Sequence, residues 1–211
     1  MKIVVFGASG KTGRVFVRLA HEFGHSVTAV VRSTSSYDVP AKVKVVVCDL
    51  TIQKDVDNAI ARQDAVVSFL GHGKNTPPLL QTNAVQAILR AMKQHKVTRV
   101  LSLTGDGVRM PGDSVKFIDW CMNAAINVID HNRIVDGKMH VQALQQSTVD
   151  WTVLRVLKLT NGGSQPNILT LHGPAKILVS RETVAQAALD LLEHKGFVQQ
   201  APVISPVIIA K

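Results

Sequence analysis

Gly7, Gly10 and Gly13 stand three apart in Gly-Ala-Ser-Gly-Lys-Thr-Gly, directly after the apolar run Ile-Val-Val-Phe at 3–6. Residue types at this spacing could hold a diphosphate. Gly7 permits a tight turn off a strand, Gly10 lets backbone approach phosphate oxygens, and Gly13 lets the next helix pack closely on the sheet. A helical pattern (Val15, Phe16, Leu19, Ala20, Phe23) follows, and its start would aim unpaired N–H groups and the positive dipole end at the anion. Ser9, Lys11 and Thr12 lie within the same turn, although Lys11 suits solvent nearly as well. The spacing is not Gly-x-Gly-x-x-Gly, so the flanking strand and helix carry the reading.

A second strand-like run, Ser26–Arg32, ends on the residue that would select the nucleotide. A carboxylate there binds a ribose 2′-hydroxyl, whereas an arginine accommodates a 2′-phosphate. Here Arg32 is followed by Ser33, Thr34, Ser35 and Ser36, with no acid before Asp38. A guanidinium over a phosphate is a charge-assisted contact, and the serine hydroxyls can share the remaining oxygens. The expected cofactor is NADPH. An ordinary exposed strand-end arginine is the alternative.

These residues need a scaffold, and the chain alternates strand and helix patterns from end to end. Strands are expected at Lys42–Val47, Ala65–Leu70, Arg99–Thr104, Trp151–Val156 and Val203–Ile209. Helices are expected at Asp55–Ala61, from Pro77 and Pro78 to about His95, over roughly Ser114–Gln146, and at Arg181–His194 behind Ser180 as N-cap. Continuous apolar strands between amphipathic helices indicate an α/β, doubly wound parallel sheet in one domain spanning 1–211, with ligands at the carboxyl ends of the strands.

Composition narrows the classes. Aromatic residues are only 4%, and the 24 Lys and Arg form no run of five, so the net charge of +9 argues for a solvated basic surface rather than a nucleic-acid binder. No apolar run reaches the ~20 residues of a membrane helix. The amino terminus enters a strand directly, without a signal-peptide layout. Cys48 and Cys121 make no paired motif and read as reduced thiols of a cytoplasmic protein. No His, Cys, Asp or Glu cluster has metal-ligand spacing, so no metal is expected.

The segments GASGKTGRVFVRLAHEFGHSVTAVVR, the Asp49-Leu50 pair, DAVVSFLG, DWTVLRVLKLTNG and SRETVAQAALD together resemble the NAD(P)H-binding, NmrA-like branch of the atypical short-chain dehydrogenase/reductases. That branch includes the biliverdin reductase B (flavin reductase) type, and the resemblance implies a Rossmann fold. By resemblance, Asp49 and Leu50 edge the adenine, and Leu70 and Gly71 pass the ribose or pyrophosphate through their backbone. Thr104 lies near the nicotinamide, with Val156 among the cofactor contacts. Asp49 could equally cap the next short helix.

The chain departs from that pattern where catalysis would sit. Alcohol-oxidising relatives use Tyr-x-x-x-Lys, but the single tyrosine here is Tyr37, and Ile134 precedes Lys138 by four. The Thr-Ser pair of the flavin reductase type reads Thr104-Gly105, and Val156 replaces the proline after Arg155. Candidate groups at the reacting end are therefore Thr104, His131 as proton donor, and Lys138, which could bind the nicotinamide ribose but reads more readily as an exposed helix lysine. His72 also stands within reach of a substrate cleft, His25 reads as part of a helix-to-strand turn, and Trp120 and Met122 read as core or cleft lining. Hydride transfer to a flavin or quinone needs no protein acid, because the acceptor can take its proton from water. The expectation is an NADPH-dependent reductase acting on a small conjugated acceptor. A non-catalytic NADP(H) sensor that reports to a protein partner is the alternative, and the oligomeric state is left open.

Overall fold

The computed structural model describes residues 1–34, 37–73, 76–105, 108–113, 131–173 and 178–207, with the side chain of His131 excepted. Within these lie ten strands: β1 (Lys2–Phe6), β2 (Ser26–Val31), β3 (Lys44–Val47), β4 (Ala65–Ser68), β5 (Arg99–Gly105), β6 (Asp150–Val156), β7 (Lys158–Thr160), β8 (Asn167–Thr170), β9 (Leu178–Ser180) and β10 (Val203–Pro206). The helices are α1 (Lys11–Glu22), α2 (Gln53–Ile60), α3 (Leu80–His95), α4 (His131–Gln145) and α5 (Arg181–Glu193).

Eight strands form one sheet in the order β3-β2-β1-β4-β5-β6-β10-β8. Every pairing is parallel except β10 with β8. Strands β7 and β9 make a separate parallel pair beside the carboxyl ends. Alternation along each strand explains the two cores. Ile3, Val5, Ala29, Val67 and Leu101 face one side and pack with α1 and α5. Val4, Phe6, Val30, Val66 and Val100 face the other and pack with α2, α3 and α4. Both sheet faces are covered, so the central strands need apolar residues at nearly every position.

The chain order reverses between β1 and β4, which opens a crevice over their carboxyl ends. The doubly wound sheet expected from the sequence is therefore present. Three short strands, β7, β8 and β9, carry no run long enough to announce them. The helix expected from Pro77 begins only at Leu80, because Leu79 adopts a left-handed conformation (φ 59°, ψ 27°) that a right-handed helix cannot include. Ser180 caps α5 as expected, accepting from the Thr183 N–H at 3.0 Å. Cys121, Trp120, Met122 and the first half of the expected Ser114–Gln146 helix lie outside the described residues. Among the described residues, no helix is long and apolar enough to cross a membrane, and no cluster of three or more His, Cys, Asp or Glu could hold a metal.

Candidate functional site

The glycine turn is built by close backbone approach. Gly7 has φ +73°, and a Cβ there would lie 2.8 Å from the carbonyl carbon of Phe69. The segment after β4 thus crosses directly over the turn after β1. A Cβ on Gly13 would sit 2.2 Å from the Gly7 oxygen, so only glycine lets α1 start this close. The Gly10 N–H donates to Gly7 O at 3.0 Å, and Gly10 then caps α1 with no side-chain acceptor. The first turn carries no acid. Its N–H groups and dipole meet no built-in anion, which fits a diphosphate cradle. Ser9 and Lys11 are exposed and Thr12 is buried. These residues fit the group that the turn would hold.

At the end of β2, Arg32 is exposed and pairs with no described residue, and Ser33 is exposed beside it. Arg14, which the sequence reading did not single out, ties the two loops together. Its Nε donates to Ser9 O at 2.9 Å, and its guanidinium lies 4.9 Å from the Tyr37 ring centroid. Burial pushes the Tyr37 hydroxyl up to about 12, with Arg14 opposing, so this phenol stays protonated. Asp49 does not cap α2, whose N-cap is Ile52. Its carboxylate accepts from the backbone N–H and hydroxyl of Thr51 at 2.9 and 2.7 Å. Leu50 packs half-buried against the core.

A cleft of about 460 Å³ runs from Gly10, Lys11 and Thr12 past Leu70 and Gly71 to Thr104, Gly105, Ile134 and Val156. Strand register brings the far end together, since Thr104 pairs with Arg155 and Gly105 with Val156. The walls there are Leu103, Val108, Ile134, Leu157 and Leu159. Lys11, Arg133, Lys158 and Arg181 line the cleft, and no described lining residue is acidic. Phe69 contributes a wall braced by Phe16, with ring centroids 5.3 Å apart.

Packing behind the cleft holds its rim. Gln81 Nε2 donates to Leu70 O at 2.7 Å and Leu103 O at 3.2 Å, joining the ends of β4 and β5. Gly137 lets α4 press onto β5, because a Cβ there would meet Thr104 Oγ1 at 3.0 Å and Val108 Cγ2 at 2.8 Å. The loop after β5 is pinned by fully buried Arg155, which donates to Ala201 O, Leu171 O and both oxygens of Asp113. Burial opposes the Asp113 charge, but Arg155 and the Met110 N–H hold its carboxyl below the usual range. The described lining of the cleft also includes His72, whose Nε2 lies 2.7 Å from the buried Asp136 carboxylate.

Of the candidate residues, Gly10, Lys11, Thr12, Leu70, Gly71, Thr104 and Val156 all line this one cleft. Lys138 is exposed and not among its lining, while Ile134 of the same helix is. His131 opens α4, and its side chain lies outside the described residues. Asp136 and Gln81 were not legible in the sequence. An aspartate inside a helix and a glutamine at a helix start carry no spacing signal, and their roles arise only when α3 and α4 meet.

Comparison with known proteins agrees with this geometry. The fold is similar to that of a short-chain dehydrogenase/reductase from Veillonella parvula solved in complex with NADP, at TM-score 0.82 and 16% identity, covering 97% of this chain and 94% of that one. It is also similar to the oxidoreductase YlbE from Lactococcus lactis, at TM-score 0.82 and 15% identity, covering 100% and 93%. The uncharacterized protein YwnB from Bacillus subtilis is 37% identical over 112 residues, which is 51% of this chain and 48% of YwnB. The match thus spans about half the length of that curated relative. The sequence model of the NAD(P)H-binding family matches residues 7–195. With its glycine turn, reversal crevice and doubly wound sheet, the chain belongs to the NAD(P)H-binding family and has a Rossmann fold.

Proposed function

We propose that the chain is a cytoplasmic NADPH-dependent reductase that passes hydride to a flat, conjugated acceptor such as a flavin or quinone. The observation that carries this reading is the composition of this cleft. One end is a diphosphate turn, and the other is apolar-walled, free of described carboxylates, and has Ile134 where alcohol-oxidising relatives have tyrosine. NADPH would supply a hydride from its reduced nicotinamide. The first turn of α1 would bind the diphosphate, and Arg32 with Ser33 would neutralise the 2′-phosphate. Thr104 offers a hydroxyl with no partner among the described residues, at the end of β5, to orient the ring system. Leu103, Val108, Leu157 and Leu159 would exclude water and hold the acceptor flat, so positioning carries most of the rate.

The test is NADPH oxidation followed with a panel of flavins and quinones, using Gly10→Asp as the control that places a carboxylate in the diphosphate turn. Turnover well above that control is expected, and none across the panel would reject the reading. The Thr104-Gly105 sequence and the missing tyrosine favour one second reading, a coenzyme-binding sensor that acts through a protein partner. It predicts partner affinity that changes on NADPH loading, and unchanged affinity removes it.

A further inference from the structure

One histidine of the cleft has its ring orientation fixed from behind. Asp136 is wholly buried, and four donors converge on its carboxylate. Oδ1 accepts the Thr82 N–H at 2.9 Å and the Thr82 hydroxyl at 2.6 Å. Oδ2 accepts the Gln81 N–H at 2.8 Å and His72 Nε2 at 2.7 Å. Burial works against the charge, but these donors outweigh it and hold the carboxyl below its ordinary range. An ionised carboxylate only accepts, so His72 must carry a proton on Nε2. Its second nitrogen, Nδ1, has no partner among the described residues, and the residue lines the same cleft as Thr104 and Ile134. Capping of α3 does not account for the histidine, because the Gln81 and Thr82 N–H groups already meet Asp136 without it.

We propose that His72 is the proton donor to the acceptor in this cleft, with Asp136 as the positioning residue that fixes its tautomer. The inference rests on the reductase reading above. A quinone-type acceptor gains two electrons with one hydrogen as hydride from NADPH, whose C–H bond breaks, and NADPH is oxidised by those two electrons. The electron pair moves to a carbonyl oxygen of the acceptor. The donor is the His72 imidazolium, protonated on both nitrogens: that oxygen takes its Nδ1 proton as the N–H bond breaks, leaving a neutral imidazole whose Nε2–H still faces Asp136. Water returns the lost proton.

His72→Gln keeps an amide N–H within reach of Asp136 but has no proton to release. The variant is compared with wild type on two acceptors: neutral benzoquinone, which must be protonated, and a cationic phenothiazinium dye, which becomes neutral on taking hydride alone. The quinone rate is expected to fall about 100-fold relative to the dye rate, and added imidazole is expected to restore quinone reduction in His72→Ala. Equal losses on both acceptors, or no rescue, would overturn the donor role while leaving the reductase reading intact. Wild type that reduces neither acceptor overturns both. Long-range ¹H–¹⁵N NMR of the coenzyme-free protein gives a readout without turnover, with the His72 signal identified by its loss in His72→Gln. The neutral ring is expected as the Nε2–H tautomer, and an Nδ1–H tautomer would overturn the inference.

Discussion

Arg32 stands at the end of β2 where a 2′-hydroxyl site would place a carboxylate. A charge-assisted contact from its guanidinium to a 2′-phosphate would be worth about 1.5–3 kcal/mol. Arg32→Asp should therefore weaken NADPH about 10- to 100-fold while NADH changes far less, as read by titration calorimetry. Equal losses for both nucleotides would remove the 2′-phosphate role. The exposed place of this residue was legible in the sequence because it depends on one position, the end of one strand. Asp136 and Arg155 were not, because their meaning depends on which elements meet. Arg155 is buried and holds a two-oxygen ion pair with Asp113, so Asp113→Ala strands a charge in the interior. A loss of about 3–5 kcal/mol is expected from urea unfolding.

Among the elements, the joint between β1 and α1 is the least forgiving. Gly13 faces the backbone oxygen of Gly7, which cannot move without opening the turn. Gly13→Ala should lower NADPH affinity more than ten-fold. Gly24→Ala is the contrast, since its Cβ meets nothing within 4 Å and only its φ of +83° is strained. It should cost about 1 kcal/mol of stability with no loss of NADPH binding. The long parallel strands and their helices were readable from continuous apolar runs and a 3.6-residue period. The strands β7, β8 and β9, of three or four residues, were not, because pairing rather than local pattern creates them. Two prolines suggested the start of α3, yet Leu79 in the left-handed region sets it.

At the scale of the whole molecule, α4 buries His140 against the sheet. Its Nε2 lies 3.1 Å from Ser102 Oγ, and Nδ1 has no partner among the described residues. Burial pulls its pKa down to about 4, with Asp136 opposing. The unfolded chain would take up that proton near pH 6.5, so the folded state loses stability as pH falls from about 6.5 to about 4. The loss amounts to about 3 kcal/mol at the bottom of that window. His140→Gln, which has no such proton to gain, should show a correspondingly flatter fall in urea midpoint between pH 7 and 4.5. The same fall in both proteins would place the acid sensitivity elsewhere. All of this architecture converges on one crevice, and its affinity for coenzyme is the most direct reading of what it is built to hold. Wild-type protein titrated calorimetrically with NADPH and with NADH should bind both, NADPH at least ten-fold more tightly. Equal affinities, or no heat with either, would contradict the account.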